Sequence, residues 1–208
     1  MSFKDIFNGD PGKNNEFEGL VVDGAISTQV YTDHVITALR SINHELVNEI
    51  SGSVLEATER GGVVFTAGNG GSLAIAHHVA CDLGKGLFRF YRGSLQVRAL
   101  GTNAATASAL ANDFGYDAAL AAEYQMMKSD KRDVVIVISS SGNSDNIYNL
   151  VQTSRDEGAV VVALTGFSGG KISREADISF NVPLFTYPAV ELVHQHFLDL
   201  LLMKLWRL

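Results

Sequence analysis

Cysteine, proline and tryptophan are scarce in this chain: one cysteine (Cys81), three prolines and one tryptophan in 208 residues. A lone cysteine closes no internal disulfide, so the sequence fits a reducing compartment and a cytoplasmic location is expected. Basic charge is also short, with 16 Lys and Arg against 23 Asp and Glu for a formal net charge of -7. That sign is wrong for the basic stripe of a nucleic-acid binder, so direct contact with DNA or RNA is not expected. No run approaches the roughly 18 continuous apolar residues of a membrane span, and the opening MSFKDIFNGDPGKNNEFEG lacks the apolar stretch of a secretory signal. No membrane association is expected. What is abundant is apolar side chain, 46% of residues, enough for one full core.

Residues 1–22 are polar and turn-rich, with Asn8-Gly9-Asp10-Pro11-Gly12, and read as a loose arm ahead of a single domain over 23–208. From Ala25 to about Arg60 the residues Val30, Val35, Leu39, Ile42, Leu46, Ile50 and Val54 recur at three- and four-residue steps and predict one long amphipathic helix, ending at Gly61-Gly62. It precedes any strand, so its apolar stripe suggests a partner helix in another subunit. Short β-branched runs then alternate with helical stretches. The strands are Val63–Ala67, Leu95–Leu100, Val134–Ile138, Val160–Leu164 and Ile178–Val182, and a last helix runs from about Pro188 to Trp206. This alternation predicts an α/β fold: a doubly wound, five-stranded parallel sheet, flavodoxin-like, flanked by helices on both faces.

In such a sheet, ligands bind beyond the carboxyl ends of the strands, where loops enter helix N-termini. Two junctions are unusual. Gly68-Asn69-Gly70-Gly71-Ser72 follows the first strand, where glycines allow close approach and the next helix presents free N–H groups. A tight turn with Ser72 as N-cap explains it equally well. It is neither a dinucleotide fingerprint nor a P-loop, and no nucleotide cofactor is expected. The second junction, Ser139-Ser140-Ser141-Gly142-Asn143-Ser144, offers more hydroxyls than one helix cap requires, and neutral donors at a helix N-terminus suit a phosphate monoester. Two phosphate-friendly loops without a nucleotide signature point to a small phosphorylated metabolite.

Gly68-Asn69-Gly70-Gly71-Ser72, Ala111-Asn112-Asp113-Phe114-Gly115, Ile138 to Ser144 and Ala163-Leu164-Thr165-Gly166 together closely resemble the sugar isomerase (SIS) fold, and within it the phosphoheptose isomerases. The likeness runs from about Ala25 to the C-terminus. It implies a homotetramer with active sites at subunit interfaces and a role in supplying heptose for lipopolysaccharide or capsule. It also implies interconversion of sedoheptulose 7-phosphate with the aldose heptose 7-phosphate through an enediol. By the same resemblance Ser139, Ser140, Ser141 and Ser144 grip the phosphate, while Asn69, Gly70, Gly71, Ser72, Asn112, Asp113 and Glu191 contact the sugar. Asn112 also reads as a plain loop residue and Asp113 as an N-cap for the helix through Ala118.

The enediol route needs a base near C1 and C2 and an acid or metal for the oxygens. The resemblance implies a divalent ion, zinc, whose positions fall on His78, Asp82, Glu191 and Asp199, with Asp82, His194 and Asp199 as candidate catalytic groups. Asp82 stands where the family has Glu, Glu191 where it has Gln, and Asp199 where it has the catalytic His; an oxygen-rich set suits a divalent ion but is not the family's own. His194, at i+3 from Glu191, and His196, at i, i+3 with Asp199, stand near enough to replace the imidazole, though a packing role is open to both. His77 reads as structural and Cys81 as a small buried hydrophobe. A non-catalytic alternative stays open, since SIS proteins include phosphosugar sensors and binding partners of the bacterial replication initiator.

Overall fold

The structure, a computed structural model, describes residues 21–22, 25–91, 96–127 and 130–206. After a short antiparallel pair, β1 (Val21–Val22) with β2 (Ala25–Ile26), the five β-branched runs form one sheet in which every pairing is parallel. They are β3 (Val63–Gly68), β4 (Gln96–Ala99), β5 (Val134–Ser139), β6 (Val160–Gly166) and β7 (Ile178–Val182), in the order β4-β3-β5-β6-β7. The doubly wound, flavodoxin-like expectation is met. The N-terminal arm expected over 1–22 falls, up to residue 20, outside the described residues.

β5 is central and buried along its whole length, which is why its Val-Val-Ile-Val-Ile run is continuous instead of alternating with polar residues. Successive strand residues feed opposite faces of the sheet. Val64, Ile136, Ile138, Val162 and Leu164 join a core with α2 (His44–Glu59), α3 (Gly70–Tyr91) and α8 (Tyr187–Leu205). Phe65, Val135, Val137, Val161 and Ala163 join the other, with α5 (Tyr116–Met126), α6 (Asp145–Asp156) and α7 (Gly170–Glu175). No helix among the described residues is long and apolar enough to cross a membrane.

The single long helix expected from Ala25 to Arg60 is two helices, α1 (Thr28–Arg40) and α2. The apolar spacing runs through the break, but the backbone does not: Ser41 caps α1, and the Asn43 side chain accepts from the Glu45 N–H at 2.9 Å to start α2. Part of the stripe is used within the chain, while Ile36 on α1 stays 39% exposed. Ile42, Val47, Ile50 and Val54 are at most 5% exposed and pack in the chain's own core, each contributing about 1.5–3 kcal/mol of burial.

The chain leaves β3 for β4 on one side and returns to β5 on the other, so the winding reverses between β3 and β5. An open sheet of this kind has its ligand crevice at that reversal.

Candidate active site

β3 and β5 run side by side with Gly68 level with Ile138, so the loops leaving their carboxyl ends face each other. Between them lies a cavity of about 310 Å³, walled by both loops and by Tyr187 and Glu191 at the start of α8. Its volume suits a small metabolite.

On one side stands the serine loop. Ser144 occupies the N-cap position of α6, but its hydroxyl does not cap the helix. Ser140 is 4% exposed and its Oγ is buried with no hydrogen-bond partner. Such an orphan costs about 1–3 kcal/mol unless something polar arrives to satisfy it. The loop is fixed from behind, with Gly142 N–H donating to Ser139 O and Gly166 N–H to Ser140 O, both at 2.9 Å. Gly142 has φ +65, and a Cβ there would run into the Gly169 carbonyl.

On the other side is the glycine loop, whose helix end is already occupied. The Ser72 backbone N–H donates to the Glu191 carboxylate. A Cβ on Gly71 would collide with Glu191 Oε2 and lie 2.6 Å from its Cδ, so only glycine lets the carboxylate in. Burial raises the Glu191 pKa above the ordinary carboxylate value, and the Ser72 N–H pulls it the other way. Ser72 lies inside α3, which begins at Gly70, so it is not the N-cap expected from the sequence.

The two loops are tied together by a reciprocal amide pair. Asn69 Nδ2 donates to Asn146 Oδ1 and Asn146 Nδ2 to Asn69 Oδ1, both at 2.9 Å, with Asn146 only 3% exposed. The Tyr116 hydroxyl donates to the same Asn69 oxygen at 2.9 Å. Asn146, Tyr116 and Tyr187 were not singled out in the sequence. A polar Asn in the first turn after a serine-rich loop was the available signal for Asn146, and Pro188 at the start of α8 marked where Tyr187 would sit.

Of the expected residues, Asn69, Gly70, Gly71, Ser72, Ser139, Ser140, Ser141, Ser144 and Glu191 line the cavity. The others do not. Asp82 accepts from Lys85 Nζ at 3.0 Å and faces His78 Nε2 at 3.4 Å on a half-open part of α3. Asp199 accepts from Gln195 Nε2 at 2.8 Å. His194 is 0% exposed, with Nε2 on the Thr165 carbonyl at 2.9 Å and the Phe180 ring beside it. Burial lowers its pKa to about 4, so it is neutral near pH 7 and packed behind the serine loop, away from the cavity. Asn112 and Asp113 sit exposed in the last turn of α4 (Ala104–Phe114), hydrogen-bonded to each other at 2.9 Å. Asp113 is therefore not an N-cap; that position before α5 belongs to Gly115 at φ +87. Cys81 is exposed, not buried as expected, and shares a second hollow with His77.

The expected zinc positions do not converge in this chain: among the described residues no group of three or more His, Cys, Asp or Glu is placed to hold a metal.

Residues 30–166 match the SIS domain family. The phosphoheptose isomerase of Rhodospirillum rubrum is 34% identical over 148 residues, 71% of this chain and 78% of its own length. That of Mycobacterium tuberculosis is 35% identical over 161 residues, 76% of each chain. Among solved structures, a phosphoheptose isomerase from Francisella tularensis superposes with a TM-score of 0.79 at 27% identity, covering 86% of this chain and 96% of that one. The phosphoheptose isomerase from Neisseria gonorrhoeae gives 0.76, also at 27% identity, over 85% of this chain and 96% of that one.

Proposed function

The chain belongs to the SIS domain family, and from that premise we propose that it is an aldose-ketose isomerase of the phosphoheptose isomerase kind. In this reading it interconverts sedoheptulose 7-phosphate and D-glycero-D-manno-heptose 7-phosphate through an enediol. The observation that carries the reading is the serine loop: an unpartnered buried Ser140 hydroxyl and an uncapped α6 N-terminus, side by side in the crevice. Together they form a neutral, dipole-assisted cradle for a phosphate dianion. Asn69 and Glu191 then face the polyol end. Moving a proton between adjacent carbons of a sugar consumes no nucleotide cofactor, and none is assigned.

The proton-transfer groups implied by the resemblance are not gathered in one chain. We therefore place the complete site at an interface in a homotetramer, where the exposed His78 and half-open Asp82 of α3 are free to approach a neighbour's cavity. Phe114 and Tyr116, at least 60% exposed, give the α4–α5 corner the apolar surface such contacts need. The metal proposed with the family likeness, zinc, has no fitting ligand set among the described residues of one chain, and no step here depends on it. The location proposed is the cytoplasm, in heptose supply for lipopolysaccharide or capsule.

The placement of Asp82, His194 and Asp199 outside the cavity favours a second reading, a phosphosugar-binding SIS protein without turnover. One experiment separates the two: purified protein with sedoheptulose 7-phosphate, aldose formation followed by NMR, with added zinc and again with a chelator. Product is expected. Binding without product moves the protein to the second reading.

A further inference from the structure

We propose that Glu191 decides which end of the cavity accepts an anion, making the pocket selective for monophosphates with an uncharged far end over bisphosphates and phosphorylated sugar acids. This rests on the serine loop being the phosphate site, as proposed above. Two helix N-termini open on the cavity, those of α3 and α6, and each is by its dipole and free N–H groups an anion site. They are not equivalent. At α3 the chain supplies its own anion: Ser72 N–H donates to the Glu191 carboxylate, which lies flat against Gly71 where any Cβ would exclude it. At α6 no side chain caps the helix and Ser140 Oγ waits unpartnered.

Among the described residues of this chain no Lys, Arg or His lines the cavity, so any offset to a second negative charge at the glycine end would have to come from a neighbour's His78, which is neutral unless protonated. A phosphate or carboxylate placed there would meet Glu191 in a partly desolvated space, where like charges repel strongly. Sugar hydroxyls have the opposite fit, because they donate to the carboxylate lone pairs that Ser72 leaves free. The polarity of the cavity, dianion at one end and polyol at the other, is therefore set by one residue of α8.

A matched pair of ligands tests this: sedoheptulose 7-phosphate and sedoheptulose 1,7-bisphosphate, which differ by one phosphate at the far end, titrated calorimetrically into wild type and Glu191→Gln. Glutamine keeps the size and, through its amide oxygen, the bond from Ser72, so the variant removes charge and little else. Wild type should bind the monophosphate about 10- to 100-fold more tightly, and Glu191→Gln should shrink that ratio by about 5-fold or more through a gain for the bisphosphate. Equal wild-type affinities would overturn the proposal, and so would an unchanged ratio in the variant, which would leave Glu191 as a helix cap alone. Should the variant fail to fold, wild type decides by salt: a charge-based preference weakens between about 50 and 500 mM, whereas a steric one, which would sink the proposal, does not. Calorimetry reads binding and not turnover, so discrimination here together with no product in the NMR assay above refutes the isomerase reading and supports this one. Wild type that binds neither sugar refutes both.

Discussion

The serine loop and the glycine loop are built on one plan, a parallel strand ending in a turn at a helix N-terminus, yet the protein has finished them differently. The glycine loop is closed internally by a side chain from α8, whereas the serine loop is braced only from behind and left open in front. The contrast teaches that a helix dipole is not in itself a ligand site; what matters is whether the fold has already neutralised it. It also separates two kinds of glycine. At Gly71 the neighbour is the far end of a flexible side chain, and at Gly142 it is the Gly169 backbone.

The sharpest way to break this comparison is to put a methyl group on each. Gly142→Ala combines a left-handed backbone with a clash that no rotamer relieves, and should cost more than about 3 kcal/mol or abolish folding. Gly71→Ala should cost less than about 2 kcal/mol, because Glu191 can swing away. Denaturant midpoints decide it, and equal or reversed costs would show that the two loops are held alike.

Next in size is the brace behind the serine loop. His194 holds Thr165, the neighbour of the Gly166 whose N–H supports Ser140. With its pKa lowered from 6.5 to about 4, the folded protein binds fewer protons than the unfolded chain between those values. Stability should then be intact above about pH 6.5 and fall by about 3 kcal/mol as the pH drops to 4. His194→Gln, which still donates to Thr165, should flatten that acid limb in denaturation at pH 7, 5.5 and 4. An unaltered slope would mean that other groups govern it.

The smallest effect belongs to the mouth. Tyr116→Phe removes one of two donors to Asn69 Oδ1 and should weaken sedoheptulose 7-phosphate binding about 3- to 5-fold while leaving inorganic phosphate unaffected. A parallel loss for both ligands would show that Tyr116 acts on the whole pocket instead of its glycine end.

Much of this architecture was legible in the residues. Each of the five runs became a strand: β3, β5 and β6 are buried along nearly their whole length, β5 and β6 advertising it as almost unbroken apolar stretches, whereas the edge strands β4 and β7 show the alternation of a partly exposed strand. The serine loop was legible for a similar reason, since four hydroxyls exceed what a cap can use. What failed depended on distance in space. The apolar spacing from Val35 to Val54 continues through residues 41–43, so periodicity alone did not show the break that Ser41 and Asn43 impose. His194 stands one turn from Glu191, but the two meet different neighbours: Glu191 reaches the cavity, while His194 is buried against the Thr165 carbonyl of β6. That Glu191 would stop the end of α3 could not be read from either segment, since their contact spans more than a hundred residues of chain.

The amide pair between Asn69 and Asn146 makes the cavity a gauge. Two hydrogen bonds of 2.9 Å running in opposite senses between two side chains leave little slack, so the loops on either side of it cannot spread to admit a longer guest. Chain length is then measured against this pair: a sugar phosphate too short leaves the Glu191 end to water, and one too long presses on Asn69, which Asn146 and the Tyr116 hydroxyl hold in place.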